Sequence, residues 1–490
     1  MKAQGFPLRF GRHAALTLLA LTAGCAVGPD YKRPDIALPA AYPAAAPAES
    51  AAAGQQTIAP DWWTLYGDAR LNELIAATLH NNVDLRRAVA QIEQAEAVMS
   101  EARATLFPEV DLDASGSRSR ISTLNAQPVP AGTPLISNSN RLALSTSFEL
   151  DLWGRLRRAS EAARAQLLGT RYARDVTALT LASTVTQSYF LLRSLDAQIK
   201  VTEQTLASRD ESLAVTRRRA DSGLSADLDV NQAQVARAEA SLQLRDLQRQ
   251  RALVEHQLGQ LTGQPDLQVA AGDLMTLPLP SQPPTGMPST LLERRPDVQQ
   301  AEQTLIAANA GIGVARAAQF PTFSLTGDYG GQSEELGDVL KSGARIWSIG
   351  LGATLPLIDA GRNSARTRQA VAIQHQAQAD YQKTVEAAFQ EVADALTNLQ
   401  QTTAAVTDQQ ARVDAARNAL RLSQLRYDAG YSEYLEVLDA QRTANSAEQG
   451  LIQNRQAQLA YSVDLMKALG GGWSPTATTA TTTAAAAPAE

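Results

Sequence analysis

A chain of 490 residues would ordinarily fold as about three globular domains. The composition excludes that: aromatics are only 5%, and Ala, Leu, Gln, Arg, Thr and Ser dominate, residues suited to long helices with small contact surfaces rather than a thick core. Formal net charge is −6, and removing residues 1–24, which hold Lys2, Arg9 and Arg12 and no acid, leaves −9, so nucleic-acid binding is excluded and a cation-preferring surface or lumen is favoured.

Mean hydropathy is −0.20, and beyond the N-terminus no apolar run reaches the roughly 18 residues of a membrane helix. If the chain crosses a bilayer, it does so as strands of a closed barrel. Cys25 is the single cysteine, so no disulfide within the chain and no thiolate cluster can form. His13, His80, His256 and His375 stand at no metal-ligand spacing. Neither GxSxG, HExxH nor a P-loop occurs, so no enzyme and no cofactor is expected.

Taken in chain order, the first element is an address. Arg9, Arg12 and His13 precede the apolar run AALTLLALTAG, which stops at Cys25 and is too short to span. Ala23 and Gly24 before the cysteine make a lipobox with Cys25 as the lipidated residue. Thr22 stands where Leu, Val or Ile is usual, which leaves an ordinary signal peptide as the alternative. Residue 26 is Ala, not the Asp that retains lipoproteins in the inner membrane, which favours the outer membrane. The Ala/Pro-rich stretch 35–60 reads as an extended tether.

A helix near 70–105 is expected to end before Phe107-Pro108. Strand-like alternation follows at Val110, Leu112 and Ala114, and again at Leu142, Leu144, Thr146, Phe148, Leu150 and Leu152. An unbroken helical pattern without proline covers 155–221, about 100 Å long. Gly223 suits a left-handed turn, and Ser225 is the expected N-cap of a returning helix over 226–262. The order then repeats: a helix near 294–318, Phe320-Pro321, Phe323 and Leu325, then Trp347, Ile349, Leu351, Ala353 and Leu355 on one face. A second long helix over 362–428, a turn at Gly430 with Ser432 as N-cap, and a helix near 433–468 complete it. The tail from 474 is low-complexity.

The chain is written twice, at an offset of 207. Gly154-Arg155 recurs as Gly361-Arg362, and Asp221-Ser222-Gly223-Leu224-Ser225 meets Asp428-Ala429-Gly430-Tyr431-Ser432. Heptads at Val185, Leu192, Ile199, Leu206 and Leu213 match Val392, Leu399, Val406, Val413 and Leu420. Their spacing imposes a left-handed coiled coil. Small or polar residues between them (Ala395, Thr402, Gln409, Ala416) suit a wall one helix thick; a surface coiled coil of a solid bundle is the alternative.

Each chain thus offers about four membrane strands, whereas the smallest bacterial barrels have about eight. Since open edges are not tolerated in lipid, several copies must share one barrel. The expected organisation is a lipoprotein signal peptide (1–24), a lipidated tether (25–60), a first structural repeat (61–270), a second (271–473) and a disordered tail (474–490).

Six segments together are highly specific: GCAVGPDYKRP (24–34), LNELIAATLHNNVDLRRAVAQIEQA (71–95), ELDLWGRLRR (149–158), LLERRPDVQQAEQTLIAANAGIGVARAAQFPTFSLTG (291–327), LPLIDAGR (355–362) and RYDAGYSEYLEVLDAQR (426–442). Through them the chain, over about 20–472, resembles the TolC-like outer-membrane efflux factors of the lipidated OprM/NodT branch. The resemblance implies a mixed α+β membrane protein: a homotrimer whose four strands per chain build a shared outer-membrane β-barrel that continues into a long periplasmic α-helical coiled-coil barrel. It implies as partners a periplasmic adaptor (membrane fusion) protein, an inner-membrane transporter of the resistance-nodulation-division type, and outer-membrane lipid. The function it implies is a passive exit duct for drugs or other small toxic compounds. A duct for metal efflux or type I secretion is the alternative within the class, and an envelope coiled-coil spacer the alternative outside it.

The resemblance also places a periplasmic gate on Leu435 and Asp439, tip contacts on Arg426, Tyr427 and Arg442, and adaptor docking around Gly223, Ser225, Gly430 and Ser432. A physical reading supports the gate: Leu435 and Asp439 are four residues apart and share a helix face. Three copies around an axis would form an apolar ring, which stops flow by dewetting, and an acidic ring, which selects cations. The plain alternative is packing for Leu435 and a solvated face for Asp439.

Overall fold

The computed structural model describes residues 26–39, 42, 59–122, 124, 130, 132, 134–281 and 294–472. The signal peptide, Cys25, most of the 35–60 tether and the tail lie outside the described residues. Two compact units emerge, residues 1–35, 92–170 and 301–381, and residues 36–91, 171–300 and 382–490, so each draws on both sequence repeats.

Helices α1 (Ala69–Asn81) and α2 (Val83–Ala104) replace the single helix expected near 70–105. Asn82 interrupts it in extended conformation. Its side-chain oxygen accepts the Asp84 N–H at 2.8 Å and its amide donates to Leu261 O at 3.0 Å, so one Asn starts the second helix and pins the break. Strands β1 (Glu109–Arg120) and β2 (Ile136–Leu150) follow, then α3 (Arg155–Asp221) and α4 (Asp227–Thr262). The second repeat gives α5 (Pro296–Ala317), β3 (Thr322–Ser333), β4 (Arg345–Thr354), α6 (Arg362–Asp428) and α7 (Tyr434–Ala468). Both long helices have the bounds the sequence pattern set. None of the described helices is long and apolar enough to cross a membrane.

In the first unit, the strands form one antiparallel sheet in the order β1-β2-β3-β4. The register aligns Leu112 with Leu144, Leu144 with Tyr329, and Tyr329 with Trp347, so the alternating apolar residues share one face. That face is exposed: Leu112, Trp347 and Ile349 keep 67%, 73% and 76% of their surface. The other face is polar, with Asp328 accepting from Arg141 (2.9 Å) and Ser348 (2.9 Å), and Asp113 accepting from Ser145 (2.5 Å). Two residues expected in strands fall outside them. Leu152 lies in a turn because Asp151 is taken as the cap of α3, accepting from Leu156 N and Arg157 N. Leu355 follows the end of β4, where Pro356 has no N–H to continue the ladder. Asp359 caps α6 in the same way through Asn363 N and Gly361 N, and these bonds hold its carboxyl below the usual carboxylate range.

The segment after Cys25 is not a loose tether in this unit. Val27 N–H donates to Trp153 O (2.9 Å), Asn309 donates to Pro29 O (2.9 Å), and Asp30 accepts from Arg158 (2.5 Å). Glu302, 4% exposed, accepts from Arg33 Nε and Nη2, each at 2.7 Å, and from the Tyr31 hydroxyl at 3.0 Å. Gly28 faces Gly313 so closely that a Cβ on Gly28 would lie 2.6 Å from Gly313 Cα. Positions 302, 309 and 313 share one face of α5, which is why GPDYKRP docks there as a strap. Glu302→Ala removes three hydrogen bonds to a buried charge, each worth about 1.5–3 kcal/mol. The strap is then expected to detach, and trypsin to cut after Lys32 in the variant and not in the wild type.

The second unit holds the main core. Trp62, Tyr66, Leu71, Leu74 and Ile75 pack on Val185, Tyr189, Phe190 and Leu192 of α3 and on Leu258, Leu459 and Val463. Tyr66 meets Phe190 edge-on at 4.9 Å, and its hydroxyl bonds Ser462 at 2.7 Å. The heptad positions Val185, Leu192, Val392 and Val413 are buried, as a coiled-coil seam requires. Behind the core, Asp196 accepts from Arg251 (2.7 Å), Arg193 (3.2 Å) and Gly272 N (3.0 Å). Arg193 also donates to Ala270 O and Arg251 to Val269 O, so one buried carboxylate fastens the connection between the repeats.

Candidate functional site

The two turns singled out in the sequence close in the same way. Gly223 (φ 72°) donates to Ala220 O and Leu224 N to Arg219 O, both at 2.8 Å; Gly430 (φ 79°) donates to Tyr427 O and Tyr431 N to Arg426 O. This is the Schellman pattern, whose left-handed residue favours glycine. The serines do not cap the returning helices. The N-caps are Ala226 and Glu433, neither with a side-chain cap bond. Each helix begins one residue later than expected, which leaves the Ser225 and Ser432 hydroxyls buried and without a hydrogen-bond partner among the described residues. Asp227, Asp229 and Glu436 complement the helix N-termini instead.

A small core sits behind the turns: Leu213, Ala233, Ala236, Tyr427, Tyr434, Val437 and Leu438. The Tyr427 and Tyr434 rings lie 5.5 Å apart, and the Arg219 guanidinium stacks over Tyr427 at 4.7 Å. The Tyr427 ring is buried in this core, and its hydroxyl has no hydrogen-bond partner among the described residues. Arg209 is buried beside Tyr434 and Glu239; burial pulls its pKa down, and two of its nitrogens have no partner among the described residues.

With Tyr434, Val437 and Leu438 turned inward, Leu435 and Asp439 come out together on the opposite face of α7. Leu435 keeps 56% of its surface, so it does not serve its own core. Arg426 pairs with Glu436 (3.1 Å) and Arg442 reaches Glu239 of α4 (3.6 Å), both exposed pairs of small energetic worth. Leu228, the counterpart of Leu435 at the 207 offset, is also exposed. The counterpart of Asp439 is Gln232, so the acidic feature belongs to the second repeat alone. No cluster of metal-ligating side chains occurs among the described residues.

Residues 74–264 and 287–471 match the family described as outer membrane efflux protein. The chain is 37% identical over 473 residues to the antibiotic efflux pump outer membrane protein ArpC of Pseudomonas putida, covering 94% of this chain and 96% of ArpC. The toluene efflux pump outer membrane protein TtgC of the same species matches at the same identity and coverage. The solved structure of the outer-membrane channel OprN superposes with a TM-score of 0.84 at 31% identity, over 92% of this chain and 100% of OprN. With its two repeats, its four-stranded sheet and its paired long helices, the chain belongs to the outer membrane efflux protein family, a family of TolC-like channels and not of enzymes.

Proposed function

We propose that three copies of this chain close one barrel in the outer membrane and form the passive exit duct of a drug-efflux machine. The observation that carries this is the sheet: four strands, an exposed apolar face, and edges β1 and β4 that pair with nothing among the described residues. Such edges are not tolerated in lipid, and four strands are about half of the smallest bacterial barrel. The strands hold 12, 15, 12 and 10 residues, enough for the roughly 9–11 that span a bilayer. The names of ArpC and TtgC support antibiotics and organic solvents as cargo.

The finer assignments follow the same reading. Cys25 carries the lipid anchor. Leu435 and Asp439 form the periplasmic gate, with Arg426, Tyr427 and Arg442 as tip contacts. The turns at Gly223, Ser225, Gly430 and Ser432 receive a periplasmic adaptor protein that is bound in turn to a resistance-nodulation-division transporter. Exposed Leu224 (77%) and Tyr431 (80%) at the two turns support a docking surface there. Purified protein should migrate as a heat-modifiable trimer and give small, cation-selective single-channel currents in planar bilayers. Folded trimers that never conduct would return the chain to the spacer reading.

A further inference from the structure

The exposed apolar face of the sheet carries a groove of about 460 Å³. Its floor is Gly327, and its walls are Leu144, Tyr329, Trp347, Ile349 and Val110. The neighbouring polar residues alternate to the other face, where Arg141 and Ser348 hydrogen-bond Asp328. The groove therefore offers a long, mainly apolar contact surface to a ligand.

The strap that follows Cys25 is fastened where the strands flanking this groove begin and end. Ala26 packs against Gly154, where a Cβ would lie 3.0 Å from that of Ala26. Val27 N–H donates to Trp153 O. The Trp153 indole donates to Pro321 O at 2.7 Å, and its ring stacks on Phe320 at 4.8 Å. Residue 26 is thereby held between the end of β2 and the start of β3. Cys25 precedes it directly in the chain. From there the β2–β3 seam runs through Leu150 and Phe323, Phe148 and Leu325, then Thr146 and Gly327. Gly327 is four residues beyond Phe323, about 13 Å along the strand. A hydrocarbon core about 30 Å thick gives one acyl chain a reach of about 15 Å, so the lengths agree.

We infer that the groove over Gly327 seats an acyl chain carried by Cys25, laid along the β2–β3 seam. This rests on the lipidation proposed above and adds a binding site for the lipid on the protein itself. The short, bonded strap is what favours the chain's own lipid over bulk membrane lipid: it delivers the acyl group at one place and one height.

The test is photocrosslinking in intact outer membranes from cells fed a long-chain fatty acid bearing a terminal diazirine. Tryptic peptides are then read by mass. The expected product joins the acylated peptide 25–32 to peptide 346–362, which carries Trp347 and Ile349. Ile349→Trp, which fills the groove, should lower its yield several-fold without loss of the trimer. An acylated Cys25 peptide that crosslinks only elsewhere, or a phospholipid adduct on 346–362 in place of the peptide pair, would overturn the groove while lipidation stands. An unaffected yield in Ile349→Trp would overturn it as well. A mature N-terminal peptide of unmodified mass would sink the lipidation reading, and the groove with it.

Discussion

Leu435→Ala and Asp439→Ala should each raise single-channel conductance several-fold, and Asp439→Ala should in addition weaken the preference for cations. The physical basis is their shared exposure on α7. Tyr434, Val437 and Leu438 on the inner side anchor the helix to its own core, so Leu435 and Asp439 are free to line a closed tip. An apolar ring blocks by excluding water, and truncation to Ala widens it and admits water. A carboxylate ring attracts cations and repels itself, so its removal alters selectivity as well as size. Because both side chains project away from the protomer core, surface substitutions here should leave protomer stability within about 0.5 kcal/mol. Conductance and selectivity that stay at wild-type values in folded trimers of both variants would place the gate elsewhere. Leu228→Ala is the informative companion: an effect like that of Leu435→Ala would show both repeats narrowing the same aperture.

Asp196→Ala should be far more damaging to stability, by about 3–5 kcal/mol, the range for removing one partner from a buried ionic cluster. Asp196 keeps only 3% of its side-chain surface and faces two arginines, Arg193 at 10% and Arg251 at 19%. Its loss takes the carboxylate partner from Arg193, leaves Arg251 with Glu255 alone, and unpairs the Gly272 N–H that ties down the segment joining the repeats. Arg193 cannot move away cheaply, because it is bonded to the Tyr189 hydroxyl at 2.6 Å and stacked on that ring at 4.6 Å. Chemical denaturation of the detergent-solubilised protein, followed by Trp fluorescence, reads the loss directly. Asp196→Asn keeps acceptors for part of the network and should fall between. Equal stability of wild type and Asp196→Ala would mean that the cluster contributes nothing net to the fold.

Much of this protein is determined by local pattern. The two 67-residue helices, the strand faces, the glycines of the two turns and the 207-residue duplication follow from heptad spacing, period-two alternation and the φ preference of glycine. Each of these acts over a few neighbouring residues, so each is visible in the chain itself. Leu435 and Asp439 share a face by helical geometry alone, but their exposure depends on what Tyr434 and Val437 pack against. The departures have the same origin. Asn82 breaks a helix because a carbonyl at Leu261, far off in sequence, accepts its amide. Ser225 and Ser432 lose their capping role because the returning helices start one residue later. Glu302 looks like a solvated helical residue until Tyr31 and Arg33, about 270 positions away, arrive to neutralise it. Asp196 reads in the chain as an ordinary i,i+3 partner of Arg193, since Arg251 and Gly272, which complete its buried cluster, come from far along the chain. Periodicity fixes which face of an element is apolar, while only tertiary contact decides which polar group is buried and paired, because a buried charge is stable only where distant residues supply its partners.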